Sequence, residues 1–131
     1  MAQPAAKQGD RIVATDTHIV MIPSPGGPVP TPLPHPFAGI IDGSLSSDVN
    51  IEGKPAATQG STAANTPAHI PQGGPFQKPP ANRGTIQVGS GTVLINGKPA
   101  ARNGDAAITC NDPADLPAGT VVAVGTVLIG G

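Results

Sequence analysis

An all-β fold assembled from three related copies of one short unit is what this chain predicts, and three observations lead to it. The first is composition. Eighteen glycines and 17 prolines among 131 residues leave few segments that a helix or a central strand tolerates, so ordered structure has to be short strands joined by many turns. The second is a repeat. Val49 to Gly60 (VNIEGKPAATQG) aligns with Val93 to Gly104 (VLINGKPAARNG), and eight of the twelve positions are identical. The third is patterning: short β-branched runs are punctuated by Gly-Ser-Gly and Asn-Gly, the residues of tight turns.

The copies follow in order. Around residues 49–69 the chain runs through Ile51, a Glu52-Gly53 turn and Lys54-Pro55-Ala56-Ala57, and around 93–113 it repeats this with Asn96-Gly97 as the turn. Asn-Gly supplies the two positive-φ positions of a type I′ hairpin. Within the second of these copies, 84–95 (GTIQVGSGTVLI) is expected to form strand, tight turn and strand about Gly89-Ser90-Gly91. A third copy is expected to be split across the termini: Gly125 to Ile129 repeats Gly91 to Ile95, and Gln3 to Asp10 matches Lys98 to Asp105, so 120–131 and 3–18 complete each other. Three copies would then close a ring within a single domain, 1–131, and paired alanines would suit its crowded axis. Two proline-rich inserts, 22–37 and 67–80, are expected to lie extended in polyproline fashion without internal hydrogen bonds.

Bulk chemistry narrows the function classes. The formal charge is −1 and aromatics make up 2% of the chain. There is therefore neither a basic track for phosphates nor a stacking platform for bases, and no nucleic-acid partner is expected. No apolar run reaches membrane-spanning length and no signal peptide is evident, so synthesis and folding in the cytoplasm are expected, with no stable membrane insertion. One cysteine cannot close an intramolecular disulfide, and a core this small needs some other staple.

The nitrogen and sulfur metal ligands of the chain are His18, His35, His69 and Cys110. Their spacing matches no local zinc motif. The repeat brings them into relation, because His18 follows Gly9 by nine residues and His69 follows Gly60 by nine, while Cys110 falls in the equivalent segment after Gly104. His35 is supplied by the first insert. Three imidazoles and a thiolate make a closed tetrahedral set that suits one structural zinc, with iron as the other metal that accepts several of these ligands. Asp16, Asp112 and Asp115 are read as turn residues or as hydrogen-bonding partners of the ligands.

The run Gly89 to Asp105 (GSGTVLINGKPAARNGD), followed by Cys110, resembles the core of the PAAR-repeat proteins, and Pro99-Ala100-Ala101-Arg102 spells the motif. The proline-rich stretch from Pro23 to His35 is similar to that of PAAR-like variants. The resemblance implies a small cone of short β-hairpins with pseudo-threefold symmetry and a zinc near its point held by three histidines and a cysteine, carried here by His18, His35, His69 and Cys110. It further implies a non-enzymatic tip on the trimeric VgrG-like spike of a type VI secretion system or related contractile injection particle. Such a tip would be exported with the apparatus, one chain per trimer, with effector proteins borne by other chains. Val93, Ile95, Val127 and Ile129 are the apolar side chains expected at its base. The copy at 49–69 departs from the pattern with Thr58 and Ser61 where the family has Arg and Asp. Two other readings are a small zinc hydrolase, which would need an open metal position, and a proline-rich adaptor, which would need mobile inserts without metal.

Overall fold

A computed structural model describes residues 2–130; Met1 and Gly131, the last residue of the split copy, lie outside the described residues. The fold is all-β, with no helix among the described residues. Its strands are β1 (Gln3–Pro4), β2 (Arg11–Ile22), β3 (Val29–Gly43), β4 (Asn50–Ile51), β5 (Lys54–Pro55), β6 (Thr62–Asn65), β7 (Arg83–Ile86), β8 (Leu94–Ile95), β9 (Lys98–Pro99), β10 (Ala106–Thr109), β11 (Leu116–Val122) and β12 (Leu128–Ile129). Six strands close an antiparallel barrel in the order β10-β11-β2-β3-β6-β7, and three two-stranded ribbons, β1–β12, β4–β5 and β8–β9, sit apart from it.

The pseudo-threefold symmetry is written in the backbone hydrogen bonds. Ala6 N donates to Ala101 O (2.9 Å), Ala101 N to Ala57 O (3.1 Å) and Ala57 N to Ala6 O (3.0 Å), a closed triangle. The next residues along repeat it, with Gln8 N to Pro55 O, Gln59 N to Pro99 O and Asn103 N to Pro4 O, each 2.9 Å. All three axial alanines are fully buried, and at so close a backbone approach a methyl group fills the space. Gly9, Gly60 and Gly104 then turn each copy into the barrel at φ of 94°, 94° and 92°, a region where side chains are strained. In the ribbons, Glu52-Gly53 and Asn96-Gly97 both have positive φ at each residue, which is the type I′ geometry.

Two apolar layers stack along this axis. Ile51, Ile95 and Ile129 bury against Ala5, Ala56 and Ala100 between the ribbons, while Ile12, Phe37, Ile41, Ile86 and Val121 fill the barrel. Of the four apolar side chains expected at the base, Ile95 and Ile129 therefore turn inward. Their neighbours Val93, Leu94, Val127 and Leu128 carry the exposed apolar surface.

Two local expectations are corrected. Residues 84–95 do not form a hairpin: β7 is paired on both sides within the barrel, with β6 and β10, and has no free edge for β8. The intervening Ser90 is buried, where its hydroxyl accepts from Val93 N (3.0 Å) and donates to Gly130 O (2.7 Å). Nor does the first insert lie unpaired. It forms most of β3, which pairs with β2 from Val29↔Ile22 to Ile40↔Arg11. The reason is parity. Pro30, Pro32, Pro34 and Pro36 face Met21, Ile19, Thr17 and Thr15, and the amides of Met21, Ile19 and Thr17 bond away from β3, to Pro75 O, Asp112 Oδ2 and Asn111 Oδ1. These are the non-hydrogen-bonded pairs of the ladder, so every proline nitrogen points off the outer edge, where no donor is needed. The second insert runs through bends and irregular backbone, with residues 75–77 laid along β2 through Met21 N to Pro75 O and Gln77 N to Ile19 O, both 2.8 Å.

Candidate metal centre

The inward row of β2 is Ile12, Ala14, Asp16, His18 and Val20. It begins in the apolar layer of the barrel and turns polar where the β2–β3 hairpin extends past the barrel pairings. On β3 the opposing row carries His35 and Phe37, both buried, with His35 paired to Asp16. The segment after β6 supplies His69, and the residue after β10 supplies Cys110. All four residues expected to ligate metal are thus brought to one buried place: exposure is 1% for His18, 3% for His35, 9% for His69 and 3% for Cys110.

The three imidazoles form a near-equilateral triangle, with ring centroids 4.9 Å (His18–His69), 5.5 Å (His35–His69) and 5.6 Å (His18–His35) apart. Phe76 lies 5.3 Å from His35 and 5.8 Å from His18, and Phe37 lies 6.1 Å from His69. Asp16, His18, His69 and Cys110 form a four-donor group whose ligand atoms all lie within 4.8 Å of one another. His35 falls outside that group.

Asp16 is fully buried in the middle of β2, so it is not a turn residue. Its Oδ2 accepts from His69 Nε2 (2.8 Å) and from Cys110 Sγ (3.5 Å), while Oδ1 accepts from Thr109 Oγ1 (2.5 Å). Of the two roles expected of it, turn residue or hydrogen-bonding partner of the ligand candidates, the second is the one the structure shows, and its shared parity with Ile12 and His18 was the signal for it. Asp112 accepts from Ile19 N at 2.9 Å and stands 3.6 Å from His18 Nδ1. Asp115 is exposed. Two asparagines were also missed: Asn82 Oδ1 accepts from His69 N (2.8 Å), and Asn65 Nδ2 lies 3.2 Å from His69 Nδ1.

The donor set fits a cation on structural grounds. His35 Nδ1 donates to Leu33 O (2.9 Å), which leaves Nε2 with its lone pair, buried and unpartnered; neither ring nitrogen of His18 has a hydrogen-bond partner. Buried polar atoms without partners are uncommon and ask for an explanation such as an ion, and a carbonyl behind the second ring nitrogen is how metal-binding histidines are held. Burial lowers the pKa of His18, against the opposing pull of Asp112, so the ring is kept neutral. Burial likewise pushes the Cys110 thiol up to about 11. A cleft of about 270 Å³ lined in part by His35, His69, Asn65, Pro67 and Ile70 opens beside the cluster.

A protein-family model described as the PAAR motif matches residues 21–110 and, a second time, 77–131. A search of curated proteins found no match. No helix among the described residues is long and apolar enough to cross a membrane.

Proposed function

The chain belongs to the PAAR motif family, and from that premise we propose that it is a metal-stabilised, non-enzymatic tip capping the trimeric VgrG-like spike of a type VI secretion system or related contractile injection particle. Its role there is to sharpen the spike for membrane puncture and effector delivery. The observation that carries this reading is the closed backbone triangle of Ala6, Ala57 and Ala101: one chain offers a threefold base to a threefold partner. Around it, exposed Leu94 and Leu128 occupy equivalent ribbon positions, with Val93 and Val127 beside them, an apolar rim suited to burial against the end of a β-rich spike.

His18, His35, His69 and Cys110 are proposed to hold one zinc. When bound, the ion supplies folding free energy, about 10–16 kcal/mol in small zinc modules, which is large beside the stability of a domain this size. The chain's own residues do the rest. Asn82 holds the His69 backbone amide and Asn65 its ring, Leu33 O fixes His35, and the two phenylalanines flank the histidines.

Mixing purified chain with a trimeric spike protein is expected to give a complex of one chain to three, measured by light scattering; a ratio of three to three, or no complex, overturns the capping role. For the metal, protein purified without added ions should carry one zinc per chain, and Cys110→Ser or His69→Ala should lose it and melt many degrees lower. A chain that melts at the same temperature with and without chelator would sink the staple.

A further inference from the structure

We propose that Asp16 is itself a metal ligand, contributing Oδ2 as a fifth donor beside His18, His35, His69 and Cys110; the proposal rests on the metal-site reading above. Asp16 has no exposed surface, and its side-chain partners are Thr109, His69 and Cys110, none of which carries a permanent positive charge. A carboxylate buried in this way is costly unless a cation or a full set of hydrogen bonds compensates it.

Convergence points the same way. Oδ2 is the shared acceptor of the His69 Nε2 and Cys110 Sγ protons, so three atoms able to bind a metal meet at one spot once the thiol proton is released to solvent and the imidazole proton shifts to Nδ1, and the His18 ring nitrogens beside them are unpartnered. A cation takes up the place those two protons hold. The carboxylate is also oriented for ligation, because Thr109 Oγ1 engages Oδ1 and leaves Oδ2 turned to the cluster, the support that ligating carboxylates receive from their surroundings.

The experiment is a titration of the metal-free full chain with Co²⁺, followed in the ultraviolet and visible. The unmodified chain is expected to take up one ion with a sulfur-to-cobalt charge-transfer band and the weak visible bands of a five-coordinate ion. In Asp16→Ala the sulfur band should remain, the visible bands should strengthen to the tetrahedral pattern, and affinity should fall at least tenfold. Intense tetrahedral bands in the unmodified chain, unchanged in Asp16→Ala, overturn the proposal. Should Asp16→Ala fail to fold, a crystal structure of the zinc-loaded unmodified chain decides instead: an Oδ2-to-zinc distance within about 2.3 Å supports ligation, and one beyond about 3 Å overturns it. An unmodified chain that binds no Co²⁺, or binds it without the sulfur band, overturns the metal site and this proposal together, a result distinct from either Asp16 outcome.

Discussion

Lys7 and Asp10, Thr58 and Ser61, and Arg102 and Asp105 occupy one turn in the three copies. In each, the side chain three residues on accepts the backbone amide: Lys7 N to Asp10 Oδ2 (3.0 Å), Thr58 N to Ser61 Oγ (2.9 Å) and Arg102 N to Asp105 Oδ2 (2.7 Å). Where the first residue is basic, the acceptor is an acid and a salt bridge closes over the turn. Where it is Thr58, the acceptor is the buried neutral Ser61, whose hydroxyl in turn donates a hydrogen bond to Ser44 O. The departure from the family pattern at Thr58 and Ser61 is thus a matched pair. Asp105→Ala is expected to cost about 1–2 kcal/mol in denaturant melts by orphaning the Arg102 amide. Ser61→Asp alone should destabilise, and adding Thr58→Arg should recover a measurable part of the loss, read as a coupling energy in a double-mutant cycle.

Two of the proposed ligand residues set a pH dependence at the same scale. With the Cys110 thiol near 11, the metal-free chain holds that proton at neutral pH and releases it on binding, so apparent zinc affinity should rise with pH, by up to about tenfold per unit. Calorimetry in buffers of different ionisation heat checks the proton count. The folded-state pKa of His18 lies below its unfolded value, so below about pH 6.5 the unfolded chain takes up a proton that the native one resists. The melting temperature of the metal-free chain is therefore expected to fall as pH drops through and below 6.5, with no His18 contribution to its slope above that value.

At the scale of elements, the β2–β3 hairpin explains how a proline-rich segment becomes a strand. Odd-numbered residues of β3 point their amides at β2 and their side chains inward, while the even-numbered prolines present ring and nitrogen to solvent. Leu33→Pro is expected to break the ladder opposite His18, lowering stability by at least about 1 kcal/mol and weakening zinc retention, whereas Pro34→Ala should leave both nearly unchanged. Chemical denaturation with metal analysis distinguishes the two. The same parity puts Asp16 and His18 on one face, so a strand assignment extended through 11–22 decides between the two roles expected of Asp16, in favour of a hydrogen-bonding partner and against a turn residue.

Across the whole molecule the copies lock in cyclic order. The Glu52 carboxylate, its pKa lowered by accepting from the Thr126 amide at 2.6 Å, reaches from the first ribbon to the split copy; Asn96 reaches from the second ribbon to Asp48 at 2.6 Å; and Gly130 O receives the Ser90 hydroxyl. At the centre, Ala57 has no exposed surface and its backbone is committed on both sides to the triangle. Ala57→Leu should overpack the axis, with a cost of about 1–3 kcal/mol or more and loss of spike binding in the same assay that measures stoichiometry.

The amino-acid sequence by itself determined the class and the symmetry. Repeated Gly, Pro and Ala positions encode local backbone geometry, and local geometry needs no knowledge of distant partners. It also singled out His18, His35, His69 and Cys110, because ligand chemistry belongs to residue types. The tertiary structure alone decided three other matters: that the prolines of 29–36 lie in a paired strand, that Ile95 and Ile129 turn inward, and that Asp16 stands within 4.8 Å of donor atoms of His18, His69 and Cys110. Each depends on which neighbour a strand edge or side chain meets across roughly 10 to 100 residues of chain, and pairing at that distance is set by closure of the barrel, which no local pattern carries.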